Sequence, residues 1–179
     1  MYEVEVEIEG IRPLLQHRFP DVGEAEKKSK KKTGSIDYSL EAEKSAYRDE
    51  KGNLYQPSTH IEGALVKGAV NFQITGKGKK TYKDLVKATV FVEPEAIPHE
   101  IQDYEIDSRP VVIQRARVVR YRPRLDEWKL KFKIQVRDDQ LPKEVLKEIL
   151  EYAGNNVGIG DYRPRFGTFM VTSFKEVTS

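Results

Sequence analysis

Trp128-Lys129-Leu130-Lys131-Phe132-Lys133-Ile134-Gln135-Val136-Arg137 carries the clearest secondary-structure signal in the chain. Large apolar residues alternate with Lys129, Lys131, Lys133, Gln135 and Arg137. Successive side chains of a strand point to opposite faces, so this is a half-buried strand with a basic wet face. Residues 2–9 repeat the pattern with the opposite sign: Tyr2, Val4, Val6 and Ile8 alternate with Glu3, Glu5, Glu7 and Glu9. Opposite charges directly across two strands favour pairing. The two segments are therefore expected side by side in an antiparallel sheet, with their charge ladders largely neutralising each other.

The elements around this pair complete the plan. Asn53 to Val70 reads as a short strand running into a helix, with Ser58 as N-cap and Ile61, Leu65, Val66, Ala69 and Val70 as its apolar stripe. Leu85 to Val92 is a strand candidate, closed by Pro94 and Pro98. Leu141 to Ala153 is an amphipathic helix, with Pro142 in its first turn and Gly154 at its end. Phe166 to Val177 supplies the last strand. Ser108 to Arg124 is rich in arginine and has no acidic residue; across Asp126-Glu127 it is expected to form a hairpin with the strand that follows. The order is strand, insertion, helix, strand, hairpin strand, helix, strand. This is an α+β, ferredoxin-like (RRM-like) plan, an antiparallel sheet with two packed helices. One domain over 1–179 is expected, with an insertion at 14–52, an arginine-rich hairpin at 108–137 and a glycine-rich loop at 154–169. Within the insertion, Glu26 to Lys32 reads as a solvated basic loop and Ser39 to Asp49 as a short helix.

Composition narrows the function. Of 179 residues, 38% are hydrophobic and 34% charged, as in a globular chain with a very polar surface. No apolar run approaches the ~20 residues of a membrane-spanning helix, and no signal-peptide pattern opens the chain. There is no cysteine, which excludes disulfides and thiolate metal sites and fits a cytoplasmic protein. The three histidines, His17, His60 and His99, lack ligand spacing, so no metal and no cofactor are expected. Net charge is only +2, so any nucleic-acid surface depends on where the charges lie.

Asn155 to Phe169 joins the second helix to the last strand and holds Gly158, Gly160 and Gly167 beside Arg163 and Arg165. Glycine permits positive φ and close backbone approach. Successive N–H groups can then face an oxyanion, and arginines can hold phosphate bidentately. The plainer alternative is a helix cap and tight turn with solvated arginines.

Val157-Gly158-Ile159-Gly160, followed after six residues by Gly167-Thr168-Phe169, resembles the glycine-rich loop of the RAMP superfamily, the ferredoxin-like RNA-binding proteins of CRISPR systems. Leu54-Tyr55-Gln56-Pro57-Ser58-Thr59-His60-Ile61-Glu62-Gly63-Ala64-Leu65 resembles the strand-to-helix segment of that family's backbone subunits. Gln56-Pro57-Ser58 stands where a proline-glycine pair is commoner, and Phe169 where the usual final glycine falls. Small stand-alone or viral proteins share such a loop. The resemblance implies an antiviral-defence ribonucleoprotein subunit, homo- or hetero-oligomeric and not membrane-bound, that binds single-stranded RNA with little sequence preference.

In that reading the N–H groups of Gly158, Gly160 and Asp161 approach phosphates or riboses, and Arg163 and Arg165 clamp phosphates. Ser58, Thr59 and His60 present the helix start to the backbone. Lys67 adds charge, and Arg115, Arg117, Arg120, Arg122 and Arg124 track the strand. Tyr121 or Tyr162 stacks a base. His17 follows the first strand, where RNA-processing members keep a catalytic histidine, and can act as general base on a 2′-OH. Asp21 and Asp37 fall in the loop where some backbone subunits keep a cleaving aspartate. Against catalysis, a lone histidine beside Gln16 and Arg18 is more often a surface residue, and Asp161 reads as a turn former. Non-catalytic RNA binding leads; the alternatives are an endoribonuclease and a structural oligomer that docks on an acidic partner.

Overall fold

The computed structural model describes residues 1–19 and 37–178. Asp21 and the basic run Glu26 to Lys32 lie outside the described residues. The main sheet is antiparallel and contains β1 (Tyr2–Gly10), β4 (Val90–Glu93), β8 (Lys129–Val136) and β9 (Phe169–Glu176), in the order β4-β8-β1-β9. β1 and β8 pair as their charges require: Glu5 lies opposite Lys133, Glu7 opposite Lys131 and Glu9 opposite Lys129. Lys133 Nζ is 3.1 Å from Glu3, and Lys131 Nζ is 3.5 Å from Glu7. These exposed pairs are individually weak. The stronger constraint is on the other face, where Val4, Val6, Ile8, Leu130, Phe132 and Ile134 are all buried. A one-residue slip would turn that whole set to water.

Helices α2 (Ser58–Ala69) and α4 (Lys143–Asn156) share one core with that face, through Ile61, Leu65, Leu146, Ile149 and Leu150. Gly68 sets their approach, since a Cβ there would stand 3.1 Å from the Ile149 carbonyl oxygen. Three local expectations change. Ser58 is the first helical residue rather than the N-cap: Pro57 holds that position, and the Ser58 N–H donates to the Glu95 carbonyl at 2.9 Å. Gly154 does not end α4, which continues to Asn156; it is a glycine because Phe169 presses on it, with a Cβ falling 2.3 Å from the Phe169 oxygen. Leu85 to Val92 is not one strand: α3 (Lys83–Thr89) occupies most of it, since buried Tyr82 and Val86 are spaced by four, the period of a helix.

The arginine-rich hairpin also differs from expectation. A second sheet has the order β2-β7-β6, with β2 (Leu14–Leu15), β6 (Glu105–Ile113) and β7 (Ala116–Leu125). The hairpin is therefore β6–β7, with its turn at Gln114-Arg115, both at positive φ. β8 cannot be the partner of the arm, because β1 and β4 already flank it. The expected short helix is α1 (Tyr38–Ser45), and Tyr38 packs on Tyr121 of β7 with ring centroids 4.2 Å apart. A small pair, β3 (Tyr55–Pro57) with β5 (Ala96–Pro98), leads into α2. Among the described residues, no helix is long and apolar enough to cross a membrane.

Candidate functional site

The glycine loop closes on the start of the chain, not on open space. The Gly158 N–H donates to the Ala153 carbonyl at 2.8 Å, Asp161 N–H to Leu15 at 2.9 Å, and Gly167 N–H to Pro13 at 2.8 Å. All three glycines have positive φ. A Cβ on Gly160 would stand 2.5 Å from the Leu15 oxygen, and one on Gly167 would stand 1.8 Å from the Ile159 oxygen. The backbone that approaches these glycines is the protein's own. The N–H groups of Gly158 and Asp161, expected at phosphates, are spent on carbonyls. What the lock provides is rigidity: Tyr162, Arg163, Pro164 and Arg165 are exposed on a frame pinned to β2.

The arginines divide into two groups. Arg120 pairs with Glu41 at 3.5 Å, Arg124 with Asp126 at 2.7 Å, and buried Arg122 with Asp161. These three were expected on RNA and are paired with carboxylates: Glu41 of α1, Asp126 just after β7 and Asp161 of the glycine loop. Arg115, Arg117, Arg163 and Arg165 are exposed and have no carboxylate partner among the described residues. Arg109 lies on Asp107, and its guanidinium carbon stands 4.6 Å from the Phe166 ring centre and 5.9 Å from that of Tyr162. Tyr162 is 55% exposed, whereas Tyr121 is covered by Tyr38. Of the two candidate stacking rings, Tyr162 is the accessible one.

Beneath the loop lies a charged cluster. Asp161 Oδ2 is 3.4 Å from Nδ1 of His17 and also accepts from Arg122 Nη1. The bond to His17 and the guanidinium of Arg122 hold the Asp161 carboxyl well below the usual carboxylate range, against the opposing effect of burial. With Nδ1–H directed at Asp161, Nε2 of the half-exposed His17 ring is the basic nitrogen. The neighbours of His17 in sequence are pinned. Gln16 is fully buried and bonds Tyr55 O, Gln56 Oε1 and the Tyr47 N–H, while Arg18 N–H donates to Ser45 O.

His60 joins the same network rather than facing a phosphate. Gln56 Nε2 donates to His60 Nδ1 at 2.6 Å, and His99 Nε2 donates to Gln56 Oε1 at 3.1 Å. Burial pushes both histidines down to about 4, with the Arg163 charge adding to the effect on His60. At neutral pH both are uncharged. Ser58 and Thr59 line a different place, an open groove of about 900 Å³ that also carries Glu5, Glu7, Glu62, Glu93 and Glu95 beside Lys131, Lys133 and Arg137. Five carboxylates against three cations leave the groove with an acidic excess, which disfavours phosphate. Lys67 is exposed two turns along α2 from His60. Asp37 caps α1, accepting from the Leu40 N–H at 3.1 Å, which explains it without chemistry.

The residues missed by sequence reasoning are Gln16, Gln56, Asp107 and Arg109. Gln16 and Gln56 carry no local signal, because a buried amide is recognisable only from its partners. Asp107 immediately precedes the arginine run and was available as the first counter-charge. No protein-family model matches the chain, and no curated protein matches it.

Proposed function

We propose that the protein binds single-stranded RNA with little sequence preference, as a RAMP-like, non-catalytic subunit of a ribonucleoprotein. The observation that carries this reading is the pair Arg163 and Arg165, exposed without carboxylate partners among the described residues on a loop whose backbone is locked. Two fixed guanidinium groups beside an exposed tyrosine suit a phosphate backbone and a stacked base. Arg115 and Arg117 at the tip of the β6–β7 ribbon extend the basic surface. The strand order β4-β8-β1-β9, with α2 following β1 and α4 following β8, supports a ferredoxin-like topology. The neutralised ladder on the open sheet face argues against RNA binding there, as does the lack of aromatics on that face of β1 and β8.

The test is binding of a fluorescent single-stranded RNA across a salt series. Wild type is expected to bind intact RNA with a steep salt slope, and Arg163→Ala/Arg165→Ala to lower that slope by about 2. No binding at low salt sinks the reading and leaves a structural oligomer.

One observation favours a second reading, metal-independent RNA cleavage. His17 is placed on Asp161, and Asp161 on Arg122, so a base and its orienting carboxylate are both present. His17 Nε2 would take the 2′-OH proton, the 2′ oxygen would attack phosphorus, and the bond to the 5′ oxygen would break as that oxygen takes a proton from water. The products are a 2′,3′-cyclic phosphate and a 5′-hydroxyl. Fragments with those ends, lost in His17→Ala, would move the assignment to an endoribonuclease.

A further inference from the structure

The glycine loop also borders a cleft that is lined by none of the arginines or tyrosines placed on RNA above. It measures about 380 Å³ and is lined by Ile11, Arg12, Asn155, Asn156, Pro164 and Thr168. That volume falls within the range of about 300–1,000 Å³ typical of small-molecule sites. The cleft has an apolar wall, formed by the half-exposed Ile11 side chain and the exposed Pro164 ring. It has no carboxylate in its lining.

Its polar groups are largely unspent. The Asn155 amide has no hydrogen-bond partner among the described residues. Asn156 donates from Nδ2 to Tyr152 O at 3.1 Å, which leaves Oδ1 as an acceptor. Thr168 is 6% exposed, and its unpartnered Oγ1 is closed off from the cleft's surface, so it is not one of the groups a ligand meets. Arg12 makes only a long bond, 3.4 Å from Nη1 to the Arg165 carbonyl, and its guanidinium is otherwise exposed. The backbone beneath is fixed, because the N–H groups of Ile11 and Arg12 both donate to Thr168 O.

We infer that this cleft binds one unpaired nucleotide of the RNA strand, with the base against Ile11 and Pro164, its edge on Asn155 and Asn156, and its phosphate on Arg12. The chemistry fits at each point. A flat apolar wall covers a base face. Side-chain amides offer the paired donor and acceptor that base edges present. A guanidinium matches phosphate oxygens. The inference rests on the RNA-binding reading and goes beyond it, because reading a base edge introduces preference at one position of an otherwise sequence-tolerant surface.

The test is titration of isotope-labelled full-length protein with the four 5′-mononucleotides and, separately, inorganic phosphate, following the side-chain amide resonances of Asn155 and Asn156. One nucleotide is expected to shift them saturably, more tightly than the other three. Asn155→Ala/Asn156→Ala, followed through the backbone amides of Ile11, Arg12 and Thr168, is expected to weaken it at least about tenfold. Arg12→Lys, a surface change that keeps the charge, is expected to weaken all four nucleotides together. No shift from any nucleotide at millimolar concentration overturns the inference, and so does an equal shift from inorganic phosphate alone. RNA binding with a steep salt slope but silent asparagine amides would leave the RNA reading standing and remove this one. Nucleotide binding without RNA binding would remove the RNA reading and overturn the assignment of the cleft to an RNA strand, leaving a site for free mononucleotides.

Discussion

Asp161 Oδ2 stands 3.4 Å from His17 Nδ1, and the same oxygen receives Nη1 of buried Arg122. One carboxylate thus ties the second-sheet strand β7, the glycine loop and the segment after β2. Arg122 would be a buried cation without a counter-ion if Asp161 were removed. Asp161→Ala is expected to cost about 2 kcal/mol, below the usual range for a broken buried pair because Asp161 is itself partly exposed. Chemical denaturation measures this directly. A loss below a few tenths of a kcal/mol would show that solvent satisfies Arg122.

The glycines differ sharply in what they tolerate. Gly167→Ala places a methyl 1.8 Å from the Ile159 oxygen at a φ of +80°, so a loss above about 3 kcal/mol or failure to fold is expected. Gly63 lies inside α2 with nothing within 4 Å of an added Cβ. There Gly63→Ala is expected to raise stability by about 0.5–1 kcal/mol. Thermal melts of the two variants distinguish a backbone lock from an ordinary helix glycine.

Acid should weaken the fold through the buried histidines. His99 is 4% exposed, and burial pushes it down to about 4 from the ordinary 6.5. The unfolded chain therefore takes up the proton more readily than the folded one. The full contribution is present above pH 6.5 and is lost as pH falls towards 4, by up to about 3 kcal/mol. His60 acts with the same sign. The check is the urea midpoint from neutral pH down to about pH 4.5, and a flatter profile is expected in His99→Gln.

The charge ladder can be tested by exchange. Lys131→Glu puts like charges across from Glu7 and is expected to cost about 0.5–1 kcal/mol. Adding Glu7→Lys should recover most of the loss. A double variant no better than the single one would mean that the apolar face alone sets the pairing.

The β1–β8 pairing was legible because both halves of the code, period-two burial and opposite charge, lie within each strand. The hairpin was not. Its partner choice depends on which strand edges remain free, and that is settled only once β4 and β1 have enclosed β8. The arginine arm misled for a related reason: Glu41 and Asp161, which neutralise Arg120 and Arg122, come from distant parts of the chain. Glycine spacing correctly announced a place where backbones meet closely, without saying whose backbone. Gln16 and Gln56 read as ordinary polar residues and His60 as a phosphate contact, because the bonds that join the three are visible only in the folded chain.

The carbonyls of Pro13 and Leu15 are claimed by Gly167 and Asp161, near the opposite end of the sequence. During synthesis Pro13 and Leu15 emerge long before Asp161 and Gly167 do. Contacts so distant in sequence form late and slowly. A nascent chain halted before Asp161 lacks the loop, the partner of His17 and the Pro164 and Thr168 wall of the cleft beside Arg12 together. The glycine loop and the acceptors it closes on are thus assembled together, when residues far apart in the sequence meet.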